Sequence, residues 1–180
     1  SIIFILQISI NLILDYILPR FCNSCKIKLS TDEEIICMNC FEKIEINSSE
    51  RIEKEYRRKF QSENLVNEFF PAFMFHEDNE IQKLIHELKY GKNFKVGYFL
   101  GKVISELLMD KIETWDCDLI IPIPLHQLRK ADRGFNQSKE IAKGISKNLN
   151  IKLDDKSLKR KKYTTTQTKL KITERKDNIR

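Results

Sequence analysis

The chain has only five glycines and four prolines among its 180 residues, which argues against low-complexity linkers. It also lacks an excess of either charge over residues 1–150, where 21 Lys and Arg residues are balanced by 22 Asp and Glu residues. Residues 151–180 contain 11 basic and 4 acidic residues. The net positive charge therefore lies in that segment, which predicts local handling of an anion. Hydrophobic residues make up 41% and charged residues 32%, as in a globular domain with a small appendage.

The apolar N-terminus has neither the basic leader of a secretory signal nor the length of a membrane span. Thirteen of the first 18 residues are Ile, Leu, Phe or Tyr, but no basic residue precedes Arg20, and a spanning helix needs about 20 mostly apolar residues. Gln7, Asn11 and Asp15 place a polar stripe on one helical face. We predict an amphipathic helix over residues 1–19 that packs on the following domain, with membrane contact as the alternative. We expect a cytoplasmic protein without an integral membrane segment.

Four of the five cysteines form two Cys-x-x-Cys pairs separated by eleven residues. The two pairs complete a tetrahedral site for zinc, and since all four positions are cysteines, no position stays open for catalysis. A segment this short cannot bury a core of its own, and a structural metal removes that difficulty. We predict a structural Zn²⁺ knuckle over residues 20–44, with a redox pair or an iron–sulfur site as alternatives. The predicted ligands are Cys22, Cys25, Cys37 and Cys40, whereas Cys117 stands alone and is expected to be buried.

Beyond the knuckle, the sequence predicts a charged connecting helix over residues 45–66 and an α/β unit over residues 67–180. Apolar spacing predicts an edge strand, two helices, a buried strand and a third helix in this order. Their residues are 69–75, 81–91, 94–111, 118–124 and 136–149. A strand, a loop and a helix in succession form the unit of a doubly wound parallel sheet.

The loop over residues 124–135 is the expected ligand site, because ligands bind at the carboxyl ends of strands in such sheets. Basic side chains near the N-terminus of the next helix suit a phosphate or pyrophosphate group, with a merely solvated basic loop as the alternative. The residues that suggest this site are His126, Arg129, Lys130, Arg133 and Gly134.

Residues 159–180 open with the run KRKKY and bury little apolar surface by themselves. We expect this segment to be mobile unless an anionic ligand or a partner orders it. A frayed basic tail is the alternative.

Taken together, several motifs resemble the ComF family of phosphoribosyltransferase-like proteins, which are associated with bacterial DNA uptake. The cysteine knuckle follows an apolar segment ending in Pro19-Arg20, and residues 84–90 read LIHELKY. The most specific stretch is IPIPLH at residues 121–126, followed by Arg129 and by RGFNQS at residues 133–138. The resemblance continues in the same order over nearly the whole chain. Its later members are Leu158, Arg160, Thr164, Gln167, Leu170, Glu174, Arg175 and Asn178.

The resemblance implies an α/β fold of the type I phosphoribosyltransferase kind, a parallel sheet flanked by helices, preceded by the amphipathic helix and the zinc knuckle. It also implies a reaction in which a nitrogen nucleophile displaces pyrophosphate from phosphoribosyl pyrophosphate with the help of Mg²⁺. In such folds one loop contacts pyrophosphate and a mobile flap covers the reacting groups. The implied pyrophosphate-loop residues are Pro124, Leu125, His126, Arg129, Lys130 and Arg133. The implied flap residues are Arg160, Thr164, Gln167 and Arg175.

One family feature has no counterpart in this sequence. Such transferases place an apolar strand, two adjacent acidic residues and a Thr/Gly-rich turn further along, where they grip the ribose and its 5′-phosphate. Asp154-Asp155 lacks this context and is expected to lie in a surface turn. We therefore expect a fragment with an incomplete sheet and no transferase turnover by itself, phosphoribosyl pyrophosphate being a ligand of the full-length parent. The alternatives are a zinc-dependent module that binds single-stranded DNA or a competence DNA translocase, and an inert remnant of an interrupted gene.

Overall fold

The structure of the chain is a computed structural model that describes residues 17–61 and 65–163. The predicted N-terminal helix therefore falls almost wholly outside the described residues, as do the flap residues Thr164, Gln167 and Arg175. The helices are α1 (Met38–Phe41), α2 (Ser49–Phe60), α3 (Glu80–Tyr90), α4 (Phe94–Trp115), α5 (Gln127–Arg133) and α6 (Gln137–Leu149). The strands are β1 (Leu119–Ile120) and β2 (Lys152–Leu153). Within the described ranges, no helix combines the length and the apolar character needed to cross a membrane.

Local sequence sets the ends of the main helices. The side chain of Asn79 accepts a hydrogen bond from the backbone N–H of Gln82 at 2.9 Å, which caps the start of α3. Asn136 caps α6 in the same way, by accepting from the backbone N–H of Ser138 at 3.1 Å. Helix α4 runs four residues past its predicted end, until Asp116 adopts the left-handed conformation with φ of 47°. Capping polar residues thus place the starts of α3 and α6, and α4 ends in a left-handed residue.

The knuckle and the helices share one hydrophobic core. Leu84 and Leu88 of α3 and Val96 and Leu100 of α4 are each at most 2% exposed. They belong to the same buried cluster as five knuckle residues. Those five are Cys22, Leu29, Ile35, Ile36 and Cys40. Since burial of apolar surface is the main favourable term in folding, the knuckle and α3–α4 stabilise one another.

The sheet in the described residues consists of two parallel strands. Leu119 pairs with Lys152 and Ile120 with Leu153, and the chain between them contains α5 and α6. The structure therefore confirms a small α/β element, a parallel strand pair with a helical connection, within a helix-rich chain. The type I phosphoribosyltransferase-like fold stays a prediction.

Two predicted elements differ from the structure. The predicted buried strand over residues 118–124 ends after Ile120, because Pro122 and Pro124 have no backbone N–H to donate to a ladder. It is also partly exposed, with 38% of Leu119 accessible. The predicted edge strand over residues 69–75 is reduced to one antiparallel bridge, between Phe73 and Ile46.

Candidate functional site

The four paired cysteines converge on one point. The sulfur atoms of Cys22, Cys25, Cys37 and Cys40 all lie within 4.8 Å of one another. The Sγ atoms of Cys25 and Cys37 are 3.7 Å apart. A zinc ion with four Zn–S bonds of about 2.3 Å places its sulfurs roughly 3.8 Å apart. The side chains therefore fit a four-coordinate metal, which is consistent with the predicted structural zinc.

A tight turn positions the first cysteine pair. The backbone N–H of Lys26 donates to the Cys22 carbonyl at 3.0 Å, and the N–H of Cys22 donates to the Ile27 carbonyl at 2.8 Å. Lys26 adopts the left-handed conformation with φ of 62°, which reverses the chain. The reversal aims the sulfur atoms of Cys22 and Cys25 to the same side.

The second cysteine pair lies at the start of α1 and is held by polar contacts of the preceding loop. The Glu33 carboxylate accepts from the backbone N–H of Ser30 at 2.8 Å and from that of Met38 at 2.7 Å. The Arg20 guanidinium donates to the carbonyl oxygens of Glu33 at 2.6 Å and of Ser30 at 3.0 Å. These two side chains close the eleven-residue loop between the cysteine pairs. The sequence did not predict these roles, although Arg20 lies only two residues before Cys22.

The cysteines experience different electrostatic surroundings. Burial raises the pKa of the Cys22 thiol, but the backbone N–H groups of Cys25, Cys37 and Ser24 more than offset this, so the pKa falls to about 7. Burial, followed by a hydrogen bond with Cys25, raises the pKa of Cys40 to about 12. A bound dication favours the thiolate at every position. The backbone N–H groups that donate to Cys22 already stabilise its thiolate before a metal binds.

Cys117 lies apart from this cluster. It was expected to be buried, but its side chain is exposed. It follows Asp116, the left-handed residue that ends α4, so the chain turns outward there. The prediction of a buried Cys117 was wrong because the apolar neighbourhood of the following strand does not extend back to it.

The predicted pyrophosphate loop contains a helix. Residues 127–133 form α5, capped by His126, whose Nδ1 accepts from the backbone N–H of Leu128 at 3.3 Å. Gly134 ends α5 with φ of 82°, a conformation that glycine adopts without strain. The Asn136 amide donates to the Ile123 carbonyl at 3.0 Å and so holds the loop against the start of α6. The IPIPLH stretch and the RGFNQS stretch are thereby joined in space.

The basic segment after β2 returns to this loop. The ring of Tyr163 packs edge-to-face on His126 with centroids 5.2 Å apart. The Arg129 guanidinium lies 5.3 Å from the centre of the same ring, within the range of a cation–π contact. Lys130, next to Arg129, and Arg160, three residues before Tyr163, are exposed. Pro124 and Leu125 are half-buried. The structure thus brings the beginning of the predicted flap segment to two of the predicted loop residues.

Asp154 and Asp155 lie in a turn directly after β2. The Asp154 carboxylate accepts from the backbone N–H groups of Lys156 at 2.9 Å and Ser157 at 3.1 Å, and from the Ser157 hydroxyl. Asp155 pairs with Lys139 of α6. These contacts agree with the expected surface turn.

The sequence did not predict the electrostatic relation between Lys89 and Arg133. Lys89 of α3 is half-buried, and burial followed by repulsion from Arg133 lowers its pKa. Arg133 donates through Nη1 to the Gln137 side-chain oxygen at 3.0 Å. Lys89 belongs to the LIHELKY stretch and Gln137 to the RGFNQS stretch. Arg133 lies on α5, far from Lys89 in sequence, so its effect on the Lys89 pKa is not predictable from any local pattern.

Comparison with known proteins gives two informative relatives. The chain is 30% identical over 103 residues to the DNA utilization protein YhgH of Escherichia coli, a match covering 56% of this chain and 45% of the relative. It is 30% identical over 100 residues to competence protein F of Haemophilus influenzae, covering 54% and 44%. They support the ComF-family assignment. The chain spans less than half the length of these curated relatives, and no protein-family model and no solved structure matches it.

Proposed function

We propose that the chain acts in DNA uptake or utilisation as part of a ComF-family protein, and that residues 124–133 bind the pyrophosphate group of phosphoribosyl pyrophosphate. The first half is supported by the names of the relatives, which refer to competence and to DNA utilization. The second half is supported by the resemblance of the loop and by its geometry. The cysteine cluster serves the fold, since four thiolates leave no coordination position for a substrate.

The observation that carries the pyrophosphate proposal is the contact of Tyr163 with His126 and Arg129. Residues 159–162, all basic, directly precede Tyr163, so this contact brings their positive charge near α5. Two basic segments distant in sequence thus meet at one place. A pyrophosphate group, with several charged oxygens, is stabilised by such an arrangement through charge-assisted hydrogen bonds.

The chemistry assigned to the family requires charge stabilisation. The bond between ribose C1 and the pyrophosphate oxygen breaks, and a new bond forms from C1 to the nitrogen of the acceptor. Negative charge grows on the departing pyrophosphate, where Arg129, Lys130 and Arg133 would oppose it. Mg²⁺ would arrive with the pyrophosphate, whose hard oxygens are its preferred ligands. The segment that begins near Arg160 would close over the group and exclude water.

Calorimetric titration with magnesium pyrophosphate tests the proposal. We expect the wild-type chain to bind, and Arg129→Ala to bind about tenfold more weakly or worse, because a charge-assisted contact is lost. Arg51→Ala removes an exposed arginine of α2 and serves as the matched control, with unchanged binding. Equal binding by the Arg129→Ala variant and the wild type would rule out this loop. With phosphoribosyl pyrophosphate we expect no release of pyrophosphate by this chain alone.

A second candidate function is the binding of single-stranded DNA. A groove of about 570 Å³ is lined by Phe94 and Tyr98 together with Lys95 and Lys143. Phe94 is 53% and Tyr98 38% exposed, so both rings can stack on bases while Lys95 contacts phosphates. Lys143 is paired with the Glu140 carboxylate at 2.9 Å. Phe135 packs edge-to-face on Phe94, with ring centroids 6.4 Å apart, and is half-buried. The groove favours Phe94 and Tyr98 over Phe135.

Fluorescence anisotropy with a labelled oligodeoxythymidine tests this second candidate. Affinity should fall steeply as the salt concentration rises, because phosphate contacts release counterions. Phe94→Ala should weaken binding at least several-fold, whereas Phe75→Ala, which removes another exposed ring, should leave it unchanged. An affinity that does not change with salt concentration, or no binding at low salt, would reject this function.

A further inference from the structure

A buried carboxylate lies in the groove that α4, α6 and the knuckle form. Glu140 of α6 is 7% exposed, and it lines the groove of about 570 Å³ together with Phe94 and Tyr98. Carboxylates are rarely this buried unless their charge is paired. Glu140 pairs with Lys143, one turn along the same helix, and in the part of the chain that the structure describes it accepts no side-chain hydrogen bond from another element. The pair holds no two elements together, so the fold does not explain the buried charge.

The Glu140 carboxylate retains acceptor positions for a ligand. Each of its two oxygens offers about two lone-pair sites. The Lys143 ammonium lies 2.9 Å from both oxygens, which takes one site on each. The ammonium has a third N–H, and the Lys143 side chain is 43% exposed. The two side chains therefore offer a ligand an acceptor on each carboxylate oxygen and one neighbouring donor.

The packing of α4 on α6 places this pair beside two aromatic rings. A Cβ at Gly97 would come 2.8 Å from the Cβ of Glu140, so the missing side chain at Gly97 leaves the space that Glu140 occupies. Phe94 and Tyr98 are four residues apart on α4 and share one face of the helix. Both rings line the groove that contains the carboxylate. A planar ligand can therefore stack on a ring while its edge meets the carboxylate and the ammonium.

We propose that this groove binds a guanine base and that Glu140 and Lys143 select it. The proposal rests on the second candidate function for the main source of the base, a DNA single strand. The Watson–Crick edge of guanine presents the O6 acceptor, the N1–H donor and the N2–H₂ donor in a row. Lys143 donates to O6, and the two oxygens of Glu140 accept from N1–H and N2–H₂. Adenine, cytosine and thymine each have one donor group on this edge, so none of them pairs with both oxygens.

Fluorescence anisotropy of the full chain with two labelled strands at low salt tests the selection. One strand contains only thymidine, and the other carries a single guanosine at its centre. We expect the wild type to bind the second strand about tenfold more tightly, the discrimination typical of a bidentate pair. Glu140→Gln should bind both strands equally, because an amide has one acceptor oxygen and its NH₂ group opposes a guanine donor. Glu106→Gln, which removes an exposed carboxylate of α4, should keep the tenfold ratio.

The thymidine strand separates this proposal from the DNA-binding function. Salt-dependent binding of both strands with equal affinity by the wild type overturns the guanine site and leaves DNA binding intact. A tenfold ratio that persists in Glu140→Gln also overturns it. Should Glu140→Gln fail to fold, Lys143→Met replaces it and should lower the ratio at least about threefold, because the contact with O6 is lost. An unchanged ratio in that variant counts against the proposal.

Guanosine monophosphate distinguishes a free nucleotide from a strand as the source of the base. If neither strand binds, the DNA-binding function fails, and calorimetry with guanosine and thymidine monophosphates then tests the site by itself. Tighter binding of the guanosine compound, lost in Glu140→Gln, supports a guanine site that takes a free nucleotide. Equal binding of the two compounds, or no binding of either, overturns the proposal.

Discussion

Gly101 of α4 and Gly144 of α6 lie against each other with no room for a side chain at either position. A Cβ on Gly101 would come 2.9 Å from the Cα of Gly144, and a Cβ on Gly144 would come 2.9 Å from the Cα of Gly101. The carbonyl oxygens of Ile141 and Tyr98 would be closer still. The two helices therefore approach through their glycines, which sets the position of α6 and of every group at its N-terminus.

The first prediction concerns this close approach. Gly144→Ala should lower the free energy of unfolding by about 1–3 kcal/mol, because the new methyl group meets backbone atoms that cannot rotate away. Urea unfolding followed by circular dichroism measures the change. Lys147→Ala, an exposed change on the same helix, should shift stability by less than about 0.5 kcal/mol. Equal stability of the Gly144→Ala variant and the wild type would show that the helices can separate without cost.

The second prediction follows from the core that the knuckle shares with α3. Leu84 is 0% exposed, and Leu84→Ala should lower stability by about 2–5 kcal/mol through lost burial and the cavity left behind. Because Cys22 and Cys40 belong to the same cluster, the variant should also release its metal more readily to a chelator. Retention of the metal as in the wild type, despite the lost stability, would show that the two parts fold independently.

Glu87→Gln provides the comparison on the same helix. It removes an ion pair with Lys26 of the knuckle, in which the nitrogen and oxygen are 2.6 Å apart. The Lys26 side chain is 62% exposed, so solvent screens the pair and its loss should cost less than about 1 kcal/mol. A larger loss from Glu87→Gln than from Leu84→Ala would assign the link to charge in place of apolar burial.

The third prediction separates the five cysteines. Cys25→Ser should abolish tight zinc binding and lower the melting temperature, because a serine hydroxyl does not replace a thiolate in this site. Cys117→Ser should keep one zinc per chain, since Cys117 lies outside the cluster. Elemental analysis of the purified proteins and a colorimetric chelator assay measure both. Zinc retained at wild-type affinity in Cys25→Ser would remove Cys25 from the ligand set.

The fourth prediction concerns the pH dependence of the turn after β2. Hydrogen bonds from the Ser157 hydroxyl and from the backbone N–H groups of Lys156 and Ser157 hold the pKa of Asp154 below its usual value. A carboxyl whose pKa is lower in the folded than in the unfolded state stabilises the fold above the unfolded pKa of about 3.9, and this contribution is lost as the pH falls through the folded pKa.

Asp154→Asn should therefore be less stable than the wild type near neutral pH, and the difference should shrink as the pH falls below about 4. Chemical unfolding at pH 7, 5, 4 and 3 measures the difference. Asp110→Asn, an exposed change on α4, serves as the control for general loss of negative charge. A difference between Asp154→Asn and the wild type that grows toward acid pH would show that the carboxylate is not stabilising the turn.

The cysteine cluster and much of the helical structure are predictable from the sequence because their causes are local. The spacing of the four cysteines is enough to predict a shared metal site. Ile81, Leu84 and Leu88 recur at helical intervals, and all three are buried on α3. Asn136 precedes α6 and caps it through its own side chain. Periodicity and capping act within a few residues, so the chain reveals them without knowledge of its fold.

The tertiary structure alone decides which distant residues meet. Lys89 of α3 is repelled by Arg133 of α5, and no spacing along the chain predicts that these two residues act on each other. Cys117 is exposed, although its place beside a predicted buried strand predicts burial. The strand at Leu119 stops short because prolines cannot extend the ladder, and only the pairing with Lys152 shows where it stops. The sequence determines local conformation and metal-ligand chemistry, whereas the burial and charge environment of a side chain depend on packing between segments far apart in the chain.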